Sequence, residues 1–566
     1  MRRAKDIKWE TVPIIELFDI QVAQSLQSLL TVDVGNPIKL IKNQFDLQRL
    51  SNLCRGPRPL PIMAIHDLLL SPWAIPIALS IFYLLPYFTS NTSIRSIPGP
   101  FAAKFSNLWL LLQARQGKRY LSVDEAHKKY GKLVRIQPDH VSIADDSAIS
   151  AIYGHGNGFL KADYYDVFVS ITRGLFNTRD RAEHTRKRKT VSHTFSTKSV
   201  SQFEIYMHGN LEIFVRQWDD LSKNAQGGFA RIDSLHWFNY LAFDMIGDLA
   251  FGQPFGMLEK GKDITEIQLT PGGPITYAPA VEVLNRRGEV SGTLGCLPGL
   301  KPYAKYLPDP FFSKGLAAVQ NLAGIATARV GQRLDGKQDT ERVDLLARLM
   351  EGKDERGNPM GREELTAEAL TQLIAGSDTT SNTSCAILYW VLKTPGVLQK
   401  LQRELDDAIP EGIDVPTFEM VKDLKYLNNV IQETMRIHST SSLGLPRVVP
   451  PGAGVDILGH HFAPYTVLSV PAYTIHHSKE IWGANASEFV PDRWDSLTER
   501  QKNAFIPFSY GPRSCVGRNV AEMELALIVS TTFRRYQFDV YQDVLETREG
   551  FLRKPLECMV GIKKRV

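Results

Sequence analysis

One short stretch near the C-terminus gathers residues that could hold a flat, iron-containing cofactor. It reads Phe-Ser-Tyr-Gly-Pro-Arg-Ser-Cys-Val-Gly and runs from Phe508 to Gly517. A cysteine thiolate can ligate iron, and the glycines permit a tight turn and a close approach of the backbone. Arg513 can place a positive charge beside the thiolate, and an apolar helix predicted at 520–531 would begin near it. The stretch therefore predicts that the Cys515 thiolate lies beside a flat cofactor.

A second polar run, Ala-Gly-Ser-Asp-Thr-Thr at 375–380, lies inside a long helical pattern at 363–393. Glycine, serine, aspartate and threonine are weak helix formers, and the hydroxyls can bond back to helix carbonyls and distort the helix. A local rule broken within an otherwise regular helix favours a functional role over an exposed polar face. Asp378 and Thr379 are therefore candidate catalytic residues.

A third motif combines Glu433 and Arg436, whose three-residue spacing places both side chains on one helical face. Further along, a Pro-Asp-Arg-Trp run contains Arg493. Glu–Arg pairs are common on protein surfaces, so this motif gains meaning only together with the other two.

In this order along the chain, the three motifs resemble those of the cytochrome P450 superfamily. The 508–517 stretch matches the family signature F-x-x-G-x-R-x-C-x-G at every fixed position. The resemblance implies a mainly α fold with small β-sheets, and haem b bound through Cys515 as the axial ligand of its iron. It also implies that Asp378 and Thr379 guide protons during oxygen activation.

The same resemblance implies roles for residues that do not react. Glu433, Arg436 and Arg493 would form a buried structural network. Contacts with the haem ring and its propionates would come from Phe508, Gly517, Arg513, Arg188, His184 and Arg447. His184 departs from the family pattern, which has tryptophan four residues before the arginine.

Composition indicates a large domain that does not bind nucleic acid. The 566 residues are 43% hydrophobic, and the net charge is only +5. The five cysteines are widely spaced and form no Cys-x-x-Cys pair, which argues against a disulfide framework or a zinc site. Apart from Cys515, they are interpreted as small buried hydrophobic residues: Cys54, Cys296, Cys385 and Cys558.

Residue periodicity predicts a mainly helical body. Apolar residues at three- and four-residue spacing predict helices, among them 235–251, 363–393 and 396–408. Alternating runs predict short strands at 132–143 and 467–473. Glycine and proline predict loops at 268–302 and 444–464.

The N-terminal part predicts a membrane anchor. No charged residue lies between Asp67 and Arg95, and the apolar run 68–88 has the length of a bilayer span. A buried core helix and a cleaved signal peptide are the alternatives. Basic residues after this run place the catalytic body in the cytosol, as a single-pass protein of the endoplasmic reticulum. The predicted organisation is an extension of unknown role (1–62), an anchor (63–94) and one monooxygenase domain (95–566).

A longer resemblance concerns the substrate. From about residue 103 onwards the chain resembles the fungal benzoate para-hydroxylases, most clearly at 126–146 and 153–196. This resemblance implies insertion of one oxygen atom from O2 into benzoate, para to its carboxylate. The chain has no flavin or nicotinamide motif, so the electrons would come from NADPH through a separate flavin-containing reductase. Lys187, Lys189 and Arg518 are candidate contacts with that partner.

A buried benzoate carboxylate needs donors or a cation, since an unpaired charge is costly to bury. The candidates are Lys161, Arg173, Thr440, Ser441 and Ser442. Three other functions stay open: a P450 monooxygenase acting on another aromatic or secondary-metabolite substrate, a haem-thiolate isomerase or dehydratase, and a haem-based sensor without turnover. The intact Asp378–Thr379 pair argues against the last two.

Overall fold

A computed structural model describes residues 92–336, 344–354 and 356–565, together with positions 80, 81, 84 and 87. The chain divides after residue 82, and the elements below belong to the unit of residues 83–566. Helices dominate this unit and the sheets are small, which confirms the predicted fold class.

The α-helices are α1 Phe101–Phe105, α2 Leu108–Arg115, α3 Arg119–Tyr130, α4 Ser147–Tyr153, α5 Arg181–Ser192, α6 Thr197–Val200, α7 Glu204–Asn224, α8 Ser234–Phe251, α9 Met257–Lys260, α10 Ala280–Leu294, α11 Pro310–Leu334, α12 Leu345–Met350, α13 Arg362–Lys393, α14 Val397–Ala408, α15 Phe418–Val421, α16 Lys425–Ile437, α17 Ala472–His476, α18 Lys479–Trp482, α19 Glu499–Ala504 and α20 Arg518–Arg535.

The strands are β1 Leu133–Gln137, β2 His140–Ile143, β3 Leu160–Lys161, β4 Ala230–Asp233, β5 Thr265–Ile267, β6 Thr276–Ala278, β7 Arg447–Val448, β8 Val455–Ile457, β9 His460–Phe462, β10 Val467–Ser469, β11 Tyr536–Val540, β12 Thr547–Glu549, β13 Arg553–Pro555 and β14 Met559–Lys564. Short 3-10 helices include Asp163–Phe168, Pro298–Tyr306, Pro491–Ser496 and Gly511–Arg513.

Helix α13 is the centre of the fold. Glutamates in its first turn and Lys393 in its last turn have the charges that the helix dipole favours. Most of its length is buried against α8, α11, α16 and α20. The neighbouring helix α8 is capped by the Asp233 side chain, which accepts a hydrogen bond from the Leu235 N–H, and it ends at Gly252 with φ +78°. The site residues on α13 therefore occupy a fixed framework.

The main sheet brings together strands that are distant in sequence. Its order is β1-β2-β10-β7-β3, in which β2 and β10 are parallel and the other pairs are antiparallel. In the β3–β7 pair, Lys161 lies directly opposite Arg447. This register places two cationic residues side by side at one edge of the sheet.

A buried carboxylate joins α16 to the segment that follows α18. Glu433 Oε1 accepts hydrogen bonds from Arg436 Nη2 at 2.8 Å, from Arg493 Nε at 2.9 Å and from the Val490 N–H at 2.9 Å. Its Oε2 accepts from Arg436 Nε and from Trp494 Nε1, each at 2.9 Å. Glu433 and Arg436 are both 0% exposed, so their charges are compensated within the protein rather than by solvent.

Several sequence predictions are confirmed and three are corrected, one of which is the loop predicted at 444–464, since it contains the short strands β7, β8 and β9. The helices at 235–251, 363–393 and 396–408 and the hairpin at 132–143 are present. Within the predicted loop 268–302, however, residues 280–294 form α10. Gly292 allows α10 to pack closely against the Gly550 backbone and does not mark a turn. A Cβ at position 292 would lie 2.7 Å from that backbone. The strand predicted at 467–473 ends at Ser469, since Pro471 has no N–H for the sheet.

The predicted anchor at 63–94 falls mostly outside the described residues and stays a prediction. Among the residues that are described, no helix combines the length and the apolar character needed to span a membrane.

Removing the buried carboxylate tests its importance. We expect Glu433→Gln to lower the free energy of unfolding by about 3 kcal/mol or more, because two buried arginines lose their counter-charge. Urea denaturation followed by tryptophan fluorescence measures this change. The matched control is Glu499→Gln, which removes an exposed pair with Lys502 and should cost less than about 1 kcal/mol. Equal effects of the two substitutions would contradict the assigned role.

Candidate active site

The loop that carries Cys515 is held in a constrained conformation. Ser509 and Gly511 have φ values of +61° and +70°. A Cβ at position 511 would lie 1.9 Å from the Tyr153 carbonyl oxygen, so only glycine fits there. The Cys515 N–H donates a hydrogen bond to the Phe508 carbonyl at 2.9 Å and closes the turn. The turn fixes the position of the cysteine just before α20.

Cys515 lines a large cavity, here called the Cys515 cavity. The space between the protein atoms here, including the part that is open to solvent, is about 1730 Å³. It is lined by the cysteine loop with Phe508 and Gly517 and by Ala375, Gly376 and Thr379 of α13. The thiol and the polar run of α13 therefore border the same space.

Five cationic or potentially cationic side chains line the same cavity: Lys161, His184, Arg188, Arg447 and Arg513. Burial lowers the pKa of Lys161 well below its usual value, and the charges of Arg447, Arg513 and Arg188 lower it further. For the same two reasons the pKa of His184 falls to about 3 and that of Arg513 to about 10. Buried positive groups that repel one another would be stabilised by a ligand with two negative charges along one edge, such as the two propionates of haem.

Backbone carbonyls fix two of these arginines. Arg188 Nη1 donates to the Ser514 carbonyl at 2.6 Å, and Arg513 Nη1 donates to the Thr178 carbonyl at 2.7 Å. The residues around Cys515 thus fit a haem: a thiol on one face, cations along one edge, and close access permitted by glycine. Burial raises the pKa of the Cys515 thiol, while the Gly517 N–H and the Arg188 charge act in the opposite direction.

The hydroxyls of α13 bond back to the helix, as the sequence predicts. Thr379 Oγ1 donates to the Ala375 carbonyl at 2.8 Å, and Ser377 Oγ donates to the Leu373 carbonyl at 2.7 Å. Thr379 lines the Cys515 cavity. Its hydroxyl is therefore held at the surface of the cavity that the predicted haem would occupy.

Asp378 faces a different cavity. Its Oδ2 forms an ion pair with Lys554 Nζ at 2.5 Å, and its Oδ1 accepts from Asn382 Nδ2 at 3.5 Å. The space beside it, here called the Lys554 cavity, is also lined by Asn285 and Arg287 of α10. Adjacent residues of one helix thus face two separate spaces, because successive side chains point about 100° apart.

The structure corrects the assignment of two further residues, the docking candidate Lys187 and the carboxylate candidate Arg173. Lys187 is only 3% exposed and pairs with Glu364 and Glu368, so it is not available to a docking partner. Arg173 pairs with Asp166 at 2.7 Å.

The hydroxyl candidates after α16 divide between two cavities. Ser442 donates to the Ser439 carbonyl and lines a separate cavity near Cys296. Thr440 and Ser441 do line the Cys515 cavity, as does Lys161. Cys296, Cys385 and Cys558 are buried thiols, and Cys54 lies outside the described residues.

The sequence analysis missed Glu524, an acid on α20 that also lines the Cys515 cavity. Thr380 Oγ1 donates to Glu524 Oε2 at 2.7 Å. Burial raises the pKa of this carboxyl to about 7, although the hydrogen bond from Thr380 acts in the opposite direction. The available signal was a single acid within the apolar run 523–529, which also fits a helix surface.

The raised pKa predicts a pH-dependent stability. Glu524 takes up its proton near pH 7 in the folded chain but near 4.5 when unfolded. We expect the free energy of unfolding to fall by about 3 kcal/mol as the pH rises from about 4.5 to 7. Glu524→Gln should remove that part of the slope, as measured by urea denaturation at pH 5 and 8. Glu522→Gln, an exposed neighbour paired with Arg518, is the control. Parallel curves for wild type and Glu524→Gln would refute this prediction.

Comparison with known proteins places the site in a family. The profile of the cytochrome P450 family matches residues 98–562. The chain is 66% identical over 510 residues to the benzoate 4-monooxygenase bphA of Aspergillus niger, and the match covers 88% of this chain and 98% of that protein.

More distant relatives are cytochrome P450 monooxygenases. One from Aspergillus terreus is 31% identical over 497 residues, which covers 84% of this chain and 96% of the relative. FCK2 of Fusarium pseudograminearum is 30% identical over 471 residues, or 81% of this chain and 80% of the relative. The chain described here therefore belongs to the cytochrome P450 family.

Proposed function

We propose that this chain is a haem-thiolate monooxygenase that hydroxylates benzoate at the para position to give 4-hydroxybenzoate. The observation that carries the proposal is the position of Cys515, which borders the same cavity as the polar run of α13. The similarity to a benzoate 4-monooxygenase over 98% of that protein's length supports the choice of substrate.

The residues that would hold haem b are those described above. The Cys515 thiolate would ligate the iron, Phe508 would pack beside the ring, and the arginines 188, 447 and 513 would pair with the propionates. When bound, the haem supplies the iron at which O2 is activated, and the thiolate favours O–O cleavage.

Within the chain, Asp378 and Thr379 would move protons towards the reacting oxygen. Asp378 lies on the polar side with Lys554 and Asn285, whereas Thr379 lies on the cavity side. The proposed path carries a proton from the Lys554 cavity through the Asp378 carboxyl to the Thr379 hydroxyl. Phe176, Phe551 and Leu552 add apolar surface to the Cys515 cavity, which would limit the access of other water.

The overall reaction consumes benzoate, O2, two electrons and two protons, and it yields 4-hydroxybenzoate and water. The proposed electron source is NADPH, through a separate flavin-containing reductase. Lys189 and Arg518 are the proposed docking residues, and Arg518 is 63% exposed. The proposed location is the endoplasmic reticulum membrane, with the body in the cytosol.

The role of the acid is tested by Asp378→Asn. We expect turnover to fall about 100-fold, because a positioned proton-transfer group is lost. The ferric spin-state titration with benzoate should show no loss of affinity. Reduction by the reductase should continue, so that electrons from NADPH are diverted from product to peroxide. The control is Asp543→Asn, which removes an exposed acid paired with Lys393 and should leave turnover unchanged. Wild-type turnover in Asp378→Asn would exclude the proton path.

The substrate is tested by titrating the ferric holoenzyme with benzoate and recording the haem absorption spectrum. A saturable shift from low spin to high spin is expected, followed by formation of 4-hydroxybenzoate with NADPH and reductase. A normal haem spectrum without any shift would reject benzoate, and it would favour a larger aromatic or secondary-metabolite substrate for the same monooxygenase chemistry.

A further inference from the structure

A benzoate anion in an apolar cavity needs a cation that the haem does not already use. The positive residues around the haem edge match the propionates, so the substrate carboxylate requires another partner. The inference below rests on the proposed function, because it concerns the anchor for that carboxylate.

Arg287 is a buried cation on α10 with spare hydrogen-bonding capacity. It is 5% exposed, and one of its amino groups donates to the Phe168 carbonyl at 3.3 Å. Its Nε has no hydrogen-bond partner among the described residues. Burial lowers its pKa to about 10, and the nearby charge of Asp378 partly offsets this effect. The guanidinium thus remains protonated at neutral pH and can still donate to an anion.

Aromatic rings lie between Arg287 and the Cys515 cavity. The guanidinium is 5.2 Å from the centre of the Phe168 ring. Phe168, Phe176 and Phe551 form a cluster with ring centres 5.1–5.7 Å apart. Phe176 and Phe551 line the Cys515 cavity, and Arg287 and Phe551 line the Lys554 cavity. The two spaces therefore meet at Phe551, and Arg287 lies beside this junction through its contact with Phe168.

We propose that Arg287 binds the carboxylate of the aromatic acid, while the aromatic cluster packs against its ring. A planar guanidinium can donate two parallel hydrogen bonds to a carboxylate, which would fix the acid group. The para carbon, at the opposite end of the ring, would then point away from Arg287 and towards the haem. This arrangement explains how a small, rigid acid could be oxidised at the para position.

Neighbouring cations are already engaged. Lys554 pairs with Asp378 at 2.5 Å, and Arg173 pairs with Asp166 at 2.7 Å. Lys301 donates to the Val169 carbonyl at 2.9 Å, and its pKa is lowered by burial and by the charge of Arg287. Among these residues, Arg287 therefore combines burial with an unused donor, its Nε.

The experiment compares benzoate with its neutral analogue benzamide in spin-state titrations of ferric holoenzymes. For Arg287→Gln we expect the Kd of benzoate to rise about 30-fold or more, because a buried charge pair is lost. The Kd of benzamide should change less than about 3-fold. Arg287→Lys keeps the charge but not the planar fork, so its benzoate affinity should be intermediate.

The matched control is Arg286→Gln on the same helix, which removes an exposed ion pair with Glu282 and should leave both affinities unchanged. Thr440→Ala tests the alternative in which the Thr440 hydroxyl binds the benzoate carboxylate. Unchanged benzoate affinity in Arg287→Gln, or equal losses for benzoate and benzamide, would overturn the proposal. If Arg287→Gln fails to incorporate haem, the same comparison in Arg287→Lys decides. If the wild type itself shows no spin-state shift with benzoate, the proposed function is rejected. If the wild type shows the shift and Arg287→Gln has the same Kd for benzoate, only the role of Arg287 is rejected.

Discussion

The site depends on one buried carboxylate that has no access to solvent. Glu433 receives hydrogen bonds from Arg436, Arg493, Trp494 and the Val490 N–H, and Arg436 also donates to three backbone carbonyls, at 2.6, 2.7 and 3.0 Å. A buried charge has a high free energy unless it is paired. Separating α16 from the segments that supply these partners would therefore be strongly unfavourable. The network therefore fixes the start of the segment that leads to the cysteine loop.

A second constraint is steric and acts at the cysteine loop itself. The Tyr153 carbonyl at the end of α4 leaves no room for a side chain at Gly511. The loop is thereby pressed against the same part of the protein that supplies strand β3 and its Lys161. Helices, loop and sheet edge together surround a space that a thiol and α13 both border, with cations along the edge. These features suit a planar, dianionic iron cofactor.

Helix α13 separates two kinds of environment. Thr379 lies on the Cys515 cavity, whereas Asp378 lies on the Lys554 cavity with an ion-pair partner. Because α13 is buried on several sides, one of its sides can border a polar cavity while another borders a more apolar one. In the proposed mechanism this arrangement places the source of protons on a different side of α13 from Thr379. It also places Arg287 near Asp378 and next to the aromatic cluster of Phe168, Phe176 and Phe551.

The sequence alone indicated the family, predicted Cys515 as the thiolate ligand and predicted the long helix 363–393, because each depends on spacing within a few residues or on regular periodicity. Only the tertiary structure decided which distant residues meet. The β3–β7 register places Lys161 opposite Arg447, and α10 forms where glycine and proline indicated a loop. Local patterns also could not show that Arg287 is buried without an ion-pair partner among the described residues, since burial is set by side chains from remote segments.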